Sequence, residues 1–234
     1  MNQTANPNQR PLLIFDMDGV LVDVTESYRE TIARTVEVFT GRAIGPGNIQ
    51  EYKNEGGWND DWRLTHHIVR MAGVEASFEE VKAQFQKLFH GQNGTPGLML
   101  RERWLACPNV LEDLNGRFDF ALFTGRPRSE AQLTLDRFAG RLIFDPIVGM
   151  YEVANPKPAP DGLLKILDAH PASDAFYIGD TVDDARSARA AGVPFIGIAA
   201  PANPLHVELV ELLRSEGARA ILADVNGLPE FLCS

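Results

Sequence analysis

The chain has 234 residues, 44% of them hydrophobic and 23% charged, which is enough apolar material for one large or two unequal domains. Its formal net charge of −10 argues against nonspecific nucleic-acid binding, which depends on clustered Lys and Arg. Two widely separated cysteines, Cys107 and Cys233, exclude a disulfide framework or C-x-x-C zinc site and read as reduced thiols.

Residues 1–10 are polar and are expected to form a loose tail with no signal-peptide run. No stretch approaches the roughly 20 apolar residues needed to cross a bilayer, so a cytoplasmic location and no membrane partner are expected. Residues 12–15, Leu-Leu-Ile-Phe, form a short continuous apolar run, the pattern of a strand buried on both faces. From about residue 24 to 103 only amphipathic helical segments are legible. Ser27 with Glu30 has the spacing of a capping box ahead of Ile32, Val36 and Phe39. Gly41, Gly45, Pro46 and Gly47 are expected to break the chain. Asn59 or Asp60 can cap a helix carrying Trp62, Ile68, Val69 and Met71, and Ser77 with Glu80 reads as a second capping box.

Apolar runs return at 118–123, 175–178 and 194–198, each next to a helical pattern, at 129–138, 161–169 and 183–191. Strands alternating with helices imply a doubly wound, Rossmann-like parallel α/β sheet with right-handed crossovers. The expected organisation is a core of residues 1–23 and 104–234, with 24–103 inserted as an all-helical cap.

In such sheets ligands sit at the carboxyl ends of the strands. The first run ends in Asp16-Met17-Asp18-Gly19, the second in Thr124-Gly125-Arg126, and the third in Gly179-Asp180-Thr181-Val182-Asp183-Asp184; Lys157 precedes the third, between two prolines. Carboxylates are hard ligands suited to magnesium, and an Asp at a strand end can attack phosphorus. A second Asp two residues on can protonate the leaving alcohol, while a hydroxyl and an ammonium stabilise the phosphoryl oxygens. Each has a plainer reading: Asp16 and Asp18 as loop residues, Thr124 as a turn cap, Lys157 as a surface lysine, Asp183 and Asp184 as first-turn helix acids.

Taken together, Asp16-Met17-Asp18-Gly19-Val20, Thr124, Lys157 and Gly179-Asp180 with Asp184 resemble, in order, the four motifs of the haloacid dehalogenase superfamily. The insertion resembles the helical cap of its phosphoglycolate-phosphatase-like branch. The resemblance implies a phosphatase with Asp16 as nucleophile, Asp18 as general acid/base, Thr124 and Lys157 as phosphate-binding and charge-stabilising groups, and Mg2+ held by Asp16, Asp180, Asp184 and the Asp18 backbone carbonyl. Asp183 stands where many relatives carry Asn, so its role stays open.

For substrate binding the candidates are Gly125 and Arg126, with Glu55 and Asn59 from a Gly-rich stretch at 54–63; Trp58 and Trp62 fit packing equally well, and Arg63 and Arg126 fit structural ion pairs. Adjacent His66 and His67 lack a matching acidic cluster for zinc. The expected partner is a small phosphorylated metabolite, bound by a monomer or homodimer. A phosphosugar mutase and a non-catalytic phosphometabolite-binding protein are the rival functions; dehalogenation fits poorly, because it needs neither Asp18 nor a metal.

Overall fold

The computed structural model describes residues 10–170 and 174–233; most of the N-terminal tail lies outside them. Six parallel strands form the central sheet: β1 (Leu12–Phe15), β2 (Asp119–Phe123), β3 (Ile147–Val148), β4 (Ala175–Gly179), β5 (Phe195–Ile198) and β6 (Ala220–Leu222), in the order β6-β5-β4-β1-β2-β3. Four match the expected apolar runs. The edge strands β3 and β6 were not expected, because two or three residues carry too little periodicity to stand out from a loop.

Side-chain alternation along β1 shows why its apolar run is unbroken. Leu13 and Phe15 pack on one face with Phe120, Leu122 and Ile178, while Leu12 and Ile14 pack on the other with Phe123, Tyr177 and Phe195. Helices cover both faces, as an all-parallel sheet requires. Residues Leu111, Ala131 and Leu228 cover the first face; Leu163, Ala185 and Leu209 cover the second.

Between residues 24 and 103 the chain forms four α-helices: α1 (Glu30–Thr40), α2 (Pro46–Glu55), α3 (Asp61–Met71) and α4 (Phe78–His90). A two-residue antiparallel ladder joins Val22–Asp23 to Arg103–Trp104 where the chain leaves and returns. Asp60 caps α3 by accepting the Trp62 and Arg63 amides, and Ser77 with Glu80 closes the expected box on α4. Two expectations need correction. Ser27 caps nothing: it lies inside a wide helical turn, Thr25–Arg29, in which the Arg29 amide bonds Val24 five residues back, and Glu30 pairs with Arg34 instead. Pro46 does not break the chain but starts α2, where its missing N–H is no loss and its fixed φ suits the first turn.

The remaining helices are α5 (Val110–Asn115), α6 (Arg128–Phe138), α7 (Asp161–Ala169), α8 (Val182–Ala191), α9 (His206–Ser215) and α10 (Leu228–Cys233). No described helix is long and apolar enough to cross a membrane. Both cysteines are free and exposed.

Candidate active site

Strand register gathers the polar residues. Phe15 stands level with Leu122 on β2 and with Ile178 on β4, so the chain emerges from three adjacent strands into Asp16, Thr124 and Asp180. β1 is the strand from which the sheet grows in both directions, the crevice where open α/β sheets take ligands. Gly19 turns the chain at φ +75, and a Cβ there would come within 2.0 Å of the Asp180 carboxylate, so only glycine fits between the two loops.

Asp16, Asp180 and Asp184 each offer a carboxylate oxygen within 4.8 Å of the others. Lys157, 3% exposed, donates to Asp16 Oδ1 and Asp184 Oδ1, both at 2.8 Å, which disposes of the surface-lysine reading. Asp184 also accepts from Tyr177 Oη at 2.6 Å and caps α8 with Thr181 at 2.6 Å. It is therefore both a helix-capping acid and a member of the cluster. Asp180 makes no hydrogen bond or ion pair among the described residues.

Burial sets the electrostatics. It raises the Asp16 carboxyl to about 7, with help from Asp184 and Asp18 and against the pull of Lys157. Asp180 is pushed well above the usual carboxylate range by burial and by its neighbours Asp184 and Asp16. Burial also acts on Asp184, but the charge and hydrogen bond of Lys157 outweigh it and hold the group below its ordinary value. Three carboxylates thus share one lysine, and their donors are hard oxygens. That donor set suits a divalent cation such as magnesium.

Asp18 faces the same cavity with its carboxylate fixed by Arg126, whose Nε and Nη2 stand 2.7 and 2.5 Å from Oδ1. Arg126 is itself buried, pairing with Glu102 at 2.8 Å, bonding Thr134 at 3.0 Å and lying 4.6 Å from the Tyr28 ring centroid. Thus Arg126 borders the cavity, but its guanidinium is committed to the protein in the manner of a structural ion pair. The Thr124 hydroxyl accepts the Arg126 amide at 3.2 Å and is buried, so it does cap its turn.

Across the cavity, Asn59 packs over the backbone of Gly125, and Asn59, Asp60 and Trp62 line the wall. Glu55 does not. It ends α2, its carbonyl accepts from Arg186, and its side chain borders a separate surface hollow with Tyr52 and Ile68. Trp58 packs edge-on against Tyr52 and at a tilt against His67, and does not line the cavity. Arg63 pairs loosely with Asp60 and is exposed.

Two groups here, Lys53 and Arg29, were not legible as site residues in the sequence, and the role of a third, Asp183, was left open. Lys53, 9% exposed, donates to the Trp58 carbonyl and to Asp61, both at 2.6 Å, bracing the wall. Asp183 is buried and accepts the Gly57 amide on both oxygens, tying α8 to the loop after α2. Arg29 reaches the cavity from the turn before α1. Lys53 falls in a segment read as broken by Pro46, and the wide turn at Thr25–Arg29 shifts the helical phase that would have marked Arg29 as inward-facing.

A sequence model of the haloacid dehalogenase-like hydrolases matches residues 13–198, a span containing every acid and base just described. The chain belongs to that family. The expected class, a hydrolase of the haloacid dehalogenase superfamily, stands with it. A 205-residue stretch is 36% identical to part of an imidazoleglycerol-phosphate dehydratase from Phytophthora nicotianae, covering 84% of this chain and 44% of that protein. The chain therefore spans less than half the length of that relative. It is 22% identical over 191 residues to a phosphoglycolate phosphatase of Vibrio parahaemolyticus, covering 80% and 82% of the two chains. Among solved structures, a predicted phosphoglycolate phosphatase of Haemophilus somnus superposes with a TM-score of 0.73 at 17% identity, covering 97% and 100%. That likeness concerns the fold.

Proposed function

We propose that this chain hydrolyses a small-molecule phosphate monoester with magnesium, through an aspartyl-phosphate on Asp16. The observation that carries this reading is the convergence of Asp16, Asp180 and Asp184 on one point, with Lys157 bonded to two of them and Asp18 facing the same cavity.

In this reading Asp16, Asp180 and Asp184, with the Asp18 backbone carbonyl, hold the cation. When bound, magnesium supplies neutralisation of the carboxylates and of the substrate's phosphoryl oxygens. Lys157 and Thr124 stabilise charge on those oxygens. Asp16 attacks phosphorus as the bond to the leaving oxygen breaks, and Asp18 gives that oxygen its proton. Asp18 then takes a proton from water, whose oxygen attacks the same phosphorus and releases phosphate and free Asp16. Arg126 grips only Oδ1 of Asp18, which leaves Oδ2 for the proton.

Residues 24–103 act as a cap over a core of 1–23 and 104–234. The ladder between Val22–Asp23 and Arg103–Trp104 supports those boundaries. Asn59 and Gly125 contribute to the substrate wall. Phosphoglycolate is the first substrate to test, since relatives carry its phosphatase's name. A phosphate ester related to imidazoleglycerol phosphate is the second, since the chain resembles part of a protein named for that compound's dehydratase.

The test is acid quenching of the enzyme during turnover of a phosphate-labelled ester, followed by peptide mapping. Label on the peptide containing Asp16 supports the mechanism. Turnover with no labelled peptide at any quench time contradicts it. Transfer of the label to an isomer of the substrate instead of water would make the enzyme a mutase.

A further inference from the structure

We propose that Arg29 is a substrate-binding residue that takes an oxyanion of the substrate, an inference that rests on the phosphatase reading of this cavity. Every other cation at the site is already committed. Lys157 is bonded to Asp16 and Asp184, Arg126 to Asp18 and Glu102, and Lys53 to Asp61 and the Trp58 carbonyl. Arg29 borders the same cavity as Asp16, Asp18 and Asp180, yet its Nη1 is shut off from solvent and makes no hydrogen bond. Nor does any other part of its guanidinium bond to a described residue.

Arg29 is half-buried and feels the charge of Asp180, but a buried donor nitrogen with no hydrogen-bond partner is costly, and such groups are rare in folded proteins. The backbone explains how the side chain is kept there. Arg29 closes the wide turn Thr25–Arg29, with its amide bonded to Val24 and the neighbouring Tyr28 anchored between Arg126 and Glu130. The guanidinium is therefore presented to the cavity by a braced turn, not by a loose loop. Its planar array of donors suits the oxygens of a phosphoryl or carboxylate group.

Two sources of that oxyanion share this chemistry: the phosphoryl group itself, or a second anionic group on the leaving portion. The rest of the wall favours Arg29 as the partner of either, because Asp60 borders the cavity as an acid and Lys53 is neutralised by Asp61. An anionic leaving group would meet no other uncommitted cation among the described residues of the wall.

The experiment compares wild type, Arg29→Gln and Arg29→Lys in saturating magnesium, with p-nitrophenyl phosphate and 2-phosphoglycolate as substrates. Dissociation constants for inorganic phosphate and 2-phosphoglycolate are measured alongside by calorimetry. Loss of a charged hydrogen bond is expected to raise KM by roughly tenfold or more in Arg29→Gln, with a smaller change in kcat and partial recovery in Arg29→Lys. An equal rise for both substrates, with weakened phosphate binding, assigns the phosphoryl oxygens. A rise mainly for 2-phosphoglycolate assigns a carboxylate on the leaving portion. KM and both dissociation constants within about twofold of wild type, with only the magnesium requirement shifted, overturn the proposal and leave Arg29 as a counter-charge to Asp180. If the wild type releases no phosphate from either ester, the phosphatase reading fails separately. The two dissociation constants then decide Arg29 alone: weakening of either supports it, and no change in both overturns it.

Discussion

Lys157 and Asp16 come from loops 141 residues apart and meet at 2.8 Å, with the lysine ammonium fully enclosed and equally close to Asp184. Removing one partner of a buried pair leaves the other charge uncompensated, typically at about 3–5 kcal/mol. Lys157→Met is therefore expected to lose stability on that order in metal-free urea unfolding. Magnesium should recover more stability in the variant than in the wild type, because the cation replaces the lost charge. Equal magnesium stabilisation of both proteins would contradict the shared electrostatics of lysine and cluster.

Magnesium affinity should depend on pH. Burial holds Asp16 near 7 and Asp180 well above the usual carboxylate range when no cation is bound. Binding a cation requires both as carboxylates, so protons are released on binding. Affinity is expected to fall as pH drops through about 7 and to rise above it. Calorimetry in two buffers of different ionisation enthalpy reads the proton count directly. No proton release at pH 6 would show that the cluster is already ionised.

Asp183 anchors the Gly57 amide at 2.7 and 2.9 Å, and Gly56 beside it turns at φ +82 with no room for a Cβ against Arg186 and Asp183. Asp183→Ala should release this loop. Hydrogen exchange at residues 55–58 is expected to speed up, and KM to rise several-fold, while global stability falls by only about 1–3 kcal/mol. Unchanged exchange at those amides would mean that the loop is held by other contacts.

Arg126 fixes Asp18 through two nitrogens, a geometry that a lysine cannot reproduce. Arg126→Lys should lower kcat by about 10–100-fold for alkyl phosphates, which need a proton on the leaving oxygen, and by less for p-nitrophenyl phosphate. Equal losses for the two classes would remove Arg126 from any role in orienting the acid.

The sheet and the polar residues at its strand ends were legible because they are local. An apolar run of four or five residues followed at once by Asp, Thr or Gly-Asp marks a strand end, and parallel pairing brings such ends together. Lys157 was legible only by its place between two prolines ahead of a strand; its burial came from the fold. The helical insertion was harder. Pro46 and Gly47 look like breakers whether they end a helix or begin one, and α2 with its inward Lys53 was lost to that ambiguity. Ser27 carried the capping pattern but sits within a turn that has already begun. Glu55 had the polar company of a specificity loop, yet it faces a separate hollow. Arg126 fitted both substrate binding and a structural ion pair, because its partner Glu102 arrives from a segment with no readable pattern.

Asp16 is proposed above as the nucleophile of a magnesium-dependent phosphatase. Phosphate release from p-nitrophenyl phosphate by wild type and Asp16→Asn, each with magnesium and with EDTA, tests it most directly. Release is expected from the wild type with magnesium only, with a rate in Asp16→Asn lower by about 1,000-fold or more. Release by Asp16→Asn at the wild-type rate, or by the wild type undiminished in EDTA, would contradict it.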